Sequence, residues 1–207
     1  MILEGIVTSL DADGRVNIAP MGPLVDSEFN LRHFVLRPFQ TATTYRNIKS
    51  CPEGVLHVTD DVWLLARAAV GPVEPLPEMI PACVVHGRVI ADCCRWFEFR
   101  VTRLDDREER TTIECEVVHT GRMRDFFGFN RAKHAVVEAA ILATRIGFLP
   151  IGEVTAEYKK LAVLVQKTGG DAEHRAFQFL SDYVNRATAR AKSTQAAAAA
   201  VASRSPS

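Results

Sequence analysis

The chain has 207 residues, of which 47% are hydrophobic and 24% charged, the composition of an ordinary globular protein rather than of a disordered chain. Lys and Arg number 25 and Asp and Glu also number 25, so no excess charge favours binding to nucleic acid or to an anionic membrane. No apolar run reaches the roughly 18 residues that a membrane-spanning helix requires, and no basic region precedes a long apolar stretch at the start. We therefore expect a cytoplasmic protein that binds neither nucleic acid nor membranes.

Residues 1–125 have the pattern of short antiparallel strands. "DADG" separates the first two apolar segments and suits a tight hairpin turn, and the charged "DDREER" separates the last two. Seven such segments, with one helix among them, predict a mainly β domain that forms a barrel or a sandwich. The segments are ILEGIVTSL, RVNIAPMGPLV, RHFVLRPF, EGVLHVTDD, ACVVHGRVI, RWFEFRVTRL and TTIECEVVHT.

Residues 126–187 have apolar positions at helical spacing and predict a small helical module. Asn130 is placed to cap the first helix, Gly147 to end it, and Asp171 to cap the last. Residues 188–207 are rich in Ala and Ser and contain one large apolar residue, Val201. Such a segment buries too little surface to offset its ordering entropy, so we expect a disordered tail or a frayed helix end.

The five cysteines show no paired spacing of the kind that zinc sites require. Their number is odd, and none of them forms a C-x-x-C motif. We therefore predict reduced packing residues and no metal site. The cysteines are Cys51, Cys83, Cys93, Cys94 and Cys115.

The stretch "LRPFQTATTYRNIKS", residues 36–50, places Thr41, Thr43 and Thr44 at the start of the helix within the β region, after Arg37. The first turn of a helix has backbone N–H groups without partners and a partial positive charge, which a phosphate satisfies. The threonines would add hydroxyl donors, and the arginine a two-pronged charged contact. The alternative is that a threonine simply caps the helix.

Two further motifs have a structural and a binding interpretation. In "VNIAPMGP", residues 16–23, the prolines and Gly22 predict that the segment leaves the sheet and offers its backbone to a ligand; otherwise it is an irregular edge strand. In "DFFGFNRAKHAVVEA", Asn130, Arg131 and Lys133 open a helix beside three phenylalanines. The alternative there is a capped helix over an aromatic core.

In this order, the motifs resemble the flavin-mononucleotide (FMN)-binding split barrel of the flavin-reductase-like proteins. The chain is most similar to the flavoprotein family catalogued as domain of unknown function 447, over most of residues 2–187. The stretches that carry the resemblance are NIAPMG, LRPFQTATTYRNI, GVLHVTDD, FNRAKHAVVEAAILATR and VQKTGG.

The resemblance implies an α+β, mainly β fold, an antiparallel split β-barrel with a C-terminal helical module. It also implies a homodimer with FMN in a groove near the subunit interface. Its phosphate would be held by Arg37, Thr41, Thr43 and Thr44, and its isoalloxazine ring would lie along Asn17, Ala19, Pro20 and Met21. Asn130, Arg131 and Lys133 match the family motif without an assigned contact.

Catalytic residues cannot be assigned from motifs, because none of the common hydrolase, metalloprotease or P-loop patterns is present. A flavin supplies its own redox chemistry, so this does not argue against an enzyme. The first hypothesis is an FMN-dependent oxidoreductase with a nicotinamide electron donor, linked by family analogy to pterin-dependent one-carbon metabolism. The alternatives are a non-catalytic flavin-binding carrier, sensor or assembly partner, and a structural protein whose threonines cap a helix.

Overall fold

The computed structural model describes residues 1–26 and 31–202, with side chains up to residue 190. The chain divides into two compact units, Met1–Gly128 and the part from Phe129 onward. The first unit contains β1 (Gly5–Leu10), β2 (Val16–Met21), β3 (His33–Leu36), α1 (Thr43–Ser50), β4 (Glu53–Val58), α2 (Val62–Val70), β5 (Met79–Pro81), β6 (Arg88–Ile90), β7 (Arg95–Asp105) and β8 (Thr112–Arg122). The second contains α3 (Arg131–Thr144), α4 (Ile151–Thr168) and α5 (Asp171–Ala202).

The first unit is built on a six-stranded antiparallel sheet in the order β2-β1-β4-β7-β8-β3, with a separate ribbon of β5 and β6. The predicted α+β class with a mainly antiparallel sheet is confirmed. Both predicted hairpins form as well, at "DADG" between β1 and β2 and at "DDREER" between β7 and β8. In the first hairpin, Asp11 Oδ1 accepts hydrogen bonds from the N–H groups of Asp13 and Arg15, and Gly14 takes a φ of 77°.

The sheet is not closed into a barrel by continuous strand pairing within the described residues. Its edges, β2 and β3, come together only at Leu24, which forms single antiparallel bridges to Ile2 and to Val35. The N–H and C=O of Leu24 exchange hydrogen bonds with Val35 at 2.8 and 3.0 Å. Gly22 and Pro23 interrupt the strand before Leu24, which limits this pairing to isolated residues.

Strand β2 corrects one expectation from the sequence. Residues 16–21 do not leave the sheet: Pro20 lies opposite Ile6 and Met21 opposite Gly5, and the departure comes at Gly22. A proline is tolerated here because β2 is an edge strand. The motif is therefore an edge strand, as its structural interpretation held.

The sequence pattern also missed helix α2, because "EGVLHVTDD" was interpreted as a strand end with no helix after it. Asp61 caps α2, its side chain accepting a hydrogen bond from the N–H of Leu64 at 3.0 Å. The predicted strand "ACVVHGRVI" is a strand only at its last three residues, β6, and the preceding residues form a loop.

The core of the first unit lies on one face of the sheet, under α1. Alternate residues of β1, β3, β4, β7 and β8 point to this face, where Tyr45 and Ile48 of α1 join them. The buried side chains from the strands are Val7, Phe34, Leu36, Leu56, Phe97, Phe99, Ile113 and Cys115.

Three buried polar side chains on the other face hold β6 and the loop before it against the sheet. The hydroxyl of Thr8 donates to the C=O of Arg88 at 2.6 Å. His57 lies between strands: its Nε2 accepts from the N–H of Ile90 at 3.1 Å, and its Nδ1 is 3.2 Å from the C=O of Ile6. These two partners require a neutral ring protonated on Nδ1. The third residue, Glu98, anchors the loop.

The carboxylate of Glu98 accepts hydrogen bonds from three successive backbone N–H groups, those of Cys83, Val84 and Val85, at 2.6–3.1 Å. Trp96 Nε1 donates a fourth at 3.2 Å. Burial alone would disfavour the charged carboxylate, but these donors outweigh it and lower the pKa of Glu98. A fully buried anion is thus satisfied by a loop that has no regular structure of its own.

Within the helical unit, hydrogen bonds and an ion pair join the start of α3 to the end of α4 and the start of α5. Asn130 caps α3, its side chain accepting from the N–H of Lys133 and donating to the C=O of Thr168. The ammonium of Lys133 lies 3.0 Å from Glu173 Oε1, and Glu173 Oε2 accepts from the N–H of Gly170. The motifs "FNRAK" and "VQKTGG" therefore meet in one hydrogen-bonded cluster. The helix cap of the alternative interpretation is confirmed, but its aromatic core is not, because Phe126, Phe127 and Phe129 are exposed. Arg131 is exposed at the first position of α3.

Helix α5 continues through residues 188–202, where the sequence favoured a disordered tail or a frayed helix end. Alanine is the strongest helix former, and five consecutive alanines begin at residue 196. Residues 203–207 of the predicted tail lie outside the described residues.

We expect the stability of the protein to fall in mild acid because of His57. Burial lowers its pKa from 6.5 to about 4, so between these values the unfolded chain binds more protons than the folded one. The contribution is fully present above pH 6.5, is lost progressively as the pH falls toward 4, and amounts to about 3 kcal/mol. Urea unfolding of the wild type and of His57→Leu, from pH 7.5 to 4, measures this contribution. The unfolding free energy of the wild type should fall more steeply as the pH is lowered, because the variant lacks the titrating imidazole. Parallel pH profiles would contradict the assignment.

We expect Glu173→Gln to destabilise the protein by about 3 kcal/mol, because it removes the carboxylate beside a largely buried ammonium. Adding Lys133→Met should recover part of the loss. The matched control is Glu157→Gln, which breaks an exposed ion pair with Lys160 in the same unit and should change stability by less than about 0.5 kcal/mol. Equal effects of Glu173→Gln and Glu157→Gln in chemical unfolding would contradict a structural role for the buried pair.

Candidate functional site

The N-terminus of α1 has no side-chain cap. Its N-cap residue is Ala42, and the first helical hydrogen bond runs from the N–H of Arg46 to the C=O of Ala42. The N–H groups of Thr43, Thr44 and Tyr45 donate to no acceptor within the described part of the chain. The threonine side chains thus accept no hydrogen bond from the backbone at the helix start. Three neighbouring N–H groups remain without an acceptor there, at the positive end of the helix dipole.

The threonines instead make two other contacts. The hydroxyl of Thr44 accepts a hydrogen bond from Asn17 Nδ2 at 3.0 Å, and the hydroxyl of Thr43 accepts from Arg46 Nη2 at 3.0 Å. The other guanidinium nitrogen, Nη1, donates to the C=O of Thr41 at 2.7 Å. The structure therefore brings Asn17 of β2 to Thr44 and places the charge of Arg46 beside Thr41 and Thr43.

Helix α1 is held at this position by further side chains. Buried Asn47 donates to the hydroxyl of Ser9 on β1 at 3.2 Å. On the opposite side of the helix, Tyr45 and Lys49 each donate to Asp106 Oδ2 at 2.7 Å, and these bonds, led by that from Lys49, lower the pKa of Asp106. The helix start is thus fixed against both the β1–β2 hairpin and the β7–β8 loop.

The residues predicted on β2 are divided between the two faces of the sheet. By strand alternation, Asn17, Ala19 and Met21 share the face that α1 covers, where Met21 packs against the core cluster. Pro20 points to the other face. A flat ligand along this segment would therefore meet alternating side chains and the unpaired outer side of an edge strand.

Arg37 lies at a cleft that Thr41, Thr43 and Thr44 do not line. It lines an open cleft of about 650 Å³ formed mainly by the β7–β8 loop, together with Phe39, Asp105, Arg107, Glu108, Glu109, Arg110 and Thr112. The Arg37 guanidinium makes no hydrogen bond or ion pair within the described residues, while its C=O accepts from Arg110 Nε at 3.2 Å. No hydrogen bond joins Arg37 to Thr41, Thr43 or Thr44.

Arg46 is a candidate site residue that the sequence analysis did not single out. Arg46 belongs to the motif T-x-x-T-Y-R-N-I, so the sequence contained the information needed to find it. Of the two arginines here, only Arg37, the one before the threonines, was expected to contact the phosphate. A residue three positions into a helix reaches back to its first turn, as Arg46 does to Thr43.

A second polar cluster surrounds Asp60, just after β4. Asp60 Oδ1 accepts from Arg124 Nη2 at 2.6 Å and Oδ2 accepts from the N–H of Phe127. The hydrogen bond to Asp60 raises the pKa of the Arg124 guanidinium above its usual value. The neighbouring Cys94 thiol also has a raised pKa because it is buried, with Asp60 adding to the effect. Cys94 therefore lacks the low pKa of a catalytic nucleophile.

Potential metal-binding atoms of Cys83, Glu98 and His119 lie within 4.8 Å of one another. Both carboxylate oxygens of Glu98 already accept two hydrogen bonds each, so a metal ion would have to displace loop donors. Cys83 is exposed, unlike the buried Cys93, Cys94 and Cys115, and thus departs from the predicted packing role.

Comparison with known protein families gives two adjacent matches. The model described as "Protein of unknown function (DUF447) N-terminal domain" matches residues 3–124, and that described as "Protein of unknown function (DUF447)" matches residues 130–182. No curated protein matches the chain.

Among solved structures, the fold is similar to that of the FMN-bound protein MM1853 from Methanosarcina mazei, described as a DUF447 protein. The TM-score is 0.75 at 21% identity, covering 88% of this chain and 94% of that one. Two other matches have a TM-score of 0.49. The 2-nitrobenzoate 2-nitroreductase NbaA of Pseudomonas fluorescens is 18% identical, covering 57% of this chain and 64% of that one. Flavoredoxin of Desulfovibrio vulgaris (Miyazaki F) is 14% identical, covering 58% and 69%.

Within residues 1–26 and 31–202, no helix combines the length and the apolar character that crossing a bilayer requires.

Proposed function

The chain belongs to the DUF447 family, and from that premise we propose that it is an FMN-binding flavoprotein whose phosphate-binding site is the N-terminal turn of α1. The observation that carries the proposal is the set of three open N–H donors at Thr43, Thr44 and Tyr45, beside the charge of Arg46. Threonine is a favoured N-cap residue, yet none of the three threonines at this helix start caps it. The description of MM1853 as FMN-bound supports the same ligand.

The residues present fit an FMN phosphate. Backbone donors and the hydroxyls of Thr41, Thr43 and Thr44 supply neutral hydrogen bonds, and Arg46 and Arg37 supply charged ones. Arg46 makes its contacts to Thr41 and Thr43 from an exposed position, so its guanidinium is accessible to a phosphate. Asn17, Ala19, Pro20 and Met21 would border the isoalloxazine ring, mainly through the backbone.

The proposed activity is that of an oxidoreductase of the flavin-reductase-like type. A bound flavin would accept and pass on electrons, and the protein would bind and orient it. A nicotinamide cofactor is the proposed donor, and reduced pterins, which the family resemblance suggests, are the first partners to test on the acceptor side. The proposed location is the cytoplasm.

The proposal includes a homodimeric split barrel. The bridges of Leu24 to Ile2 and Val35 support a sheet that curls toward closure. Edge strand β2, which carries the proposed ring-binding residues, has an unpaired side on which a second copy can pack.

We expect Arg46→Ala to weaken FMN binding by about 1.5–3 kcal/mol, roughly ten- to a hundred-fold, because a charged hydrogen bond to phosphate is lost. Riboflavin, which has no phosphate, should bind with nearly unchanged affinity. Arg37→Ala should behave in the same way if the second arginine reaches the phosphate, and Thr44→Val should have a smaller effect. Flavin fluorescence titrations measure both ligands.

The control for these titrations is Arg15→Ala, since Arg15 is an exposed arginine in the β1–β2 turn, paired with Asp13. It should leave both affinities unchanged. If Arg46→Ala lowered the affinities for FMN and riboflavin equally, Arg46 would only stabilise the helix start. That result would contradict a contact between Arg46 and the phosphate.

We expect anaerobic NADH or NADPH to bleach the flavin absorbance of the FMN-loaded protein, because hydride transfer from the donor reduces the bound flavin. Stopped-flow absorbance measures the rate, with free FMN at the same concentration as the control. Flavin that binds tightly but is not reduced faster than free FMN would favour the carrier or sensor alternative.

A further inference from the structure

Two arginines face each other at one end of the sheet. Arg95, the first residue of β7, is the register partner of Arg122, the last residue of β8. Like charges directly opposite each other on neighbouring strands are destabilising. The pair therefore concentrates positive charge at this end of the sheet, which favours a negatively charged partner.

A cleft rich in arginine lies in front of this pair. It has a volume of about 350 Å³ and is lined by Arg95, Arg122 and Arg124, together with Val58, Cys94, Asp125 and Phe126. Among these residues Asp125 is the one acid, and it pairs with Arg122 at 2.9 Å in an exposed contact. Weak exposed pairs of this kind exchange readily for a better anion.

The three arginines differ in how they are held. Arg124 is fixed by Asp60 and Asp92 at 2.6 and 2.8 Å, which compensate its charge. Arg95 is exposed, and its guanidinium stacks over the ring of Phe97 at 5.4 Å. Stacking orients the planar group and leaves its N–H edge available for a bidentate contact. Among the described residues, no acceptor bonds to that edge.

The sheet register aligns this cleft with the strand proposed to border the flavin. Met21 lies opposite Gly5, the pairing of Ile6 with His57 places Val58 beside Gly5, and Val58 lies opposite Arg95. Met21, Val58, Arg95 and Arg122 thus form one row across the sheet, on the core-side face. At about 4.8 Å per strand, Arg95 is roughly 14 Å from Met21.

We propose that Arg95 and Arg122 bind the oxyanion of the second substrate, a phosphate or a carboxylate, and so position its reactive part toward the flavin. The assignment to a substrate rests on the proposed function, while the oxyanion site itself rests on the arginine pair. The substrate class is accordingly an anionic molecule that extends from the arginine pair toward the strand proposed to border the flavin, roughly 14 Å away by the sheet register.

The test is calorimetric titration of the FMN-loaded full chain with inorganic pyrophosphate and, separately, with tricarballylate. Loading with FMN keeps the probes from the N-terminal turn of α1; if FMN does not bind, Arg46→Ala serves as the starting protein instead. We expect at least one probe to bind, with affinity reduced about tenfold by Arg95→Gln and again by Arg122→Gln. Preference for pyrophosphate indicates a phosphate-bearing substrate, and preference for tricarballylate indicates a carboxylic acid.

The control is Arg100→Gln, an exposed arginine further along β7 that lies outside the cleft and near Glu53. It should leave probe binding unchanged, and all variants should keep the FMN affinity of the wild type. Absence of binding by both probes, or binding that the Arg95 and Arg122 substitutions do not weaken, overturns the proposal even where FMN binds normally. Probe binding without FMN binding would instead leave the oxyanion site standing and refute the proposed flavoprotein.

Discussion

The fixed position of α1 over the β1–β2 hairpin is the constraint on which the candidate site depends. Two amide side chains set it: Asn47 binds Ser9 inside the structure, and Asn17 binds Thr44 at the surface end of the helix. Hydrogen bonds from amide side chains are directional, so the two bonds fix the rotation of the helix as well as its distance from the sheet. As a result, the first-turn N–H groups lie beside the edge strand rather than inside the core.

The sheet then sets the distances between the functional regions. Asn17 contacts α1 at one end of β2, and Met21 lies four residues further along, roughly 13 Å away at the usual rise per residue. From Met21 the row of register partners continues through Val58 to Arg95. One rigid sheet therefore spaces the proposed phosphate, ring and substrate-anion sites, and no loop rearrangement is needed to relate them.

The sequence was informative where structure depends on neighbours along the chain. The cap at Asn130 and the turn at "DADG" follow from local chemistry and were predicted. Pro20 was misjudged because its tolerance depends on β2 being an edge strand, a property of the whole sheet. Arg46 was overlooked for a related reason: its role depends on where the long side chain folds back. That Arg37 lines a cleft with residues of the β7–β8 loop likewise could not be predicted locally, because this loop is distant in sequence.

Glu98 binds a run of three backbone N–H groups like the run at the start of α1. Its carboxylate accepts hydrogen bonds from the backbone N–H groups of residues 83–85, and so binds this stretch of backbone as a bound anion would. At residues 43–45 the same number of consecutive amides has no acceptor among the described residues. The fold thus contains two runs of three consecutive backbone donors, one bound by a carboxylate of the chain itself and one that we propose binds the phosphate of FMN.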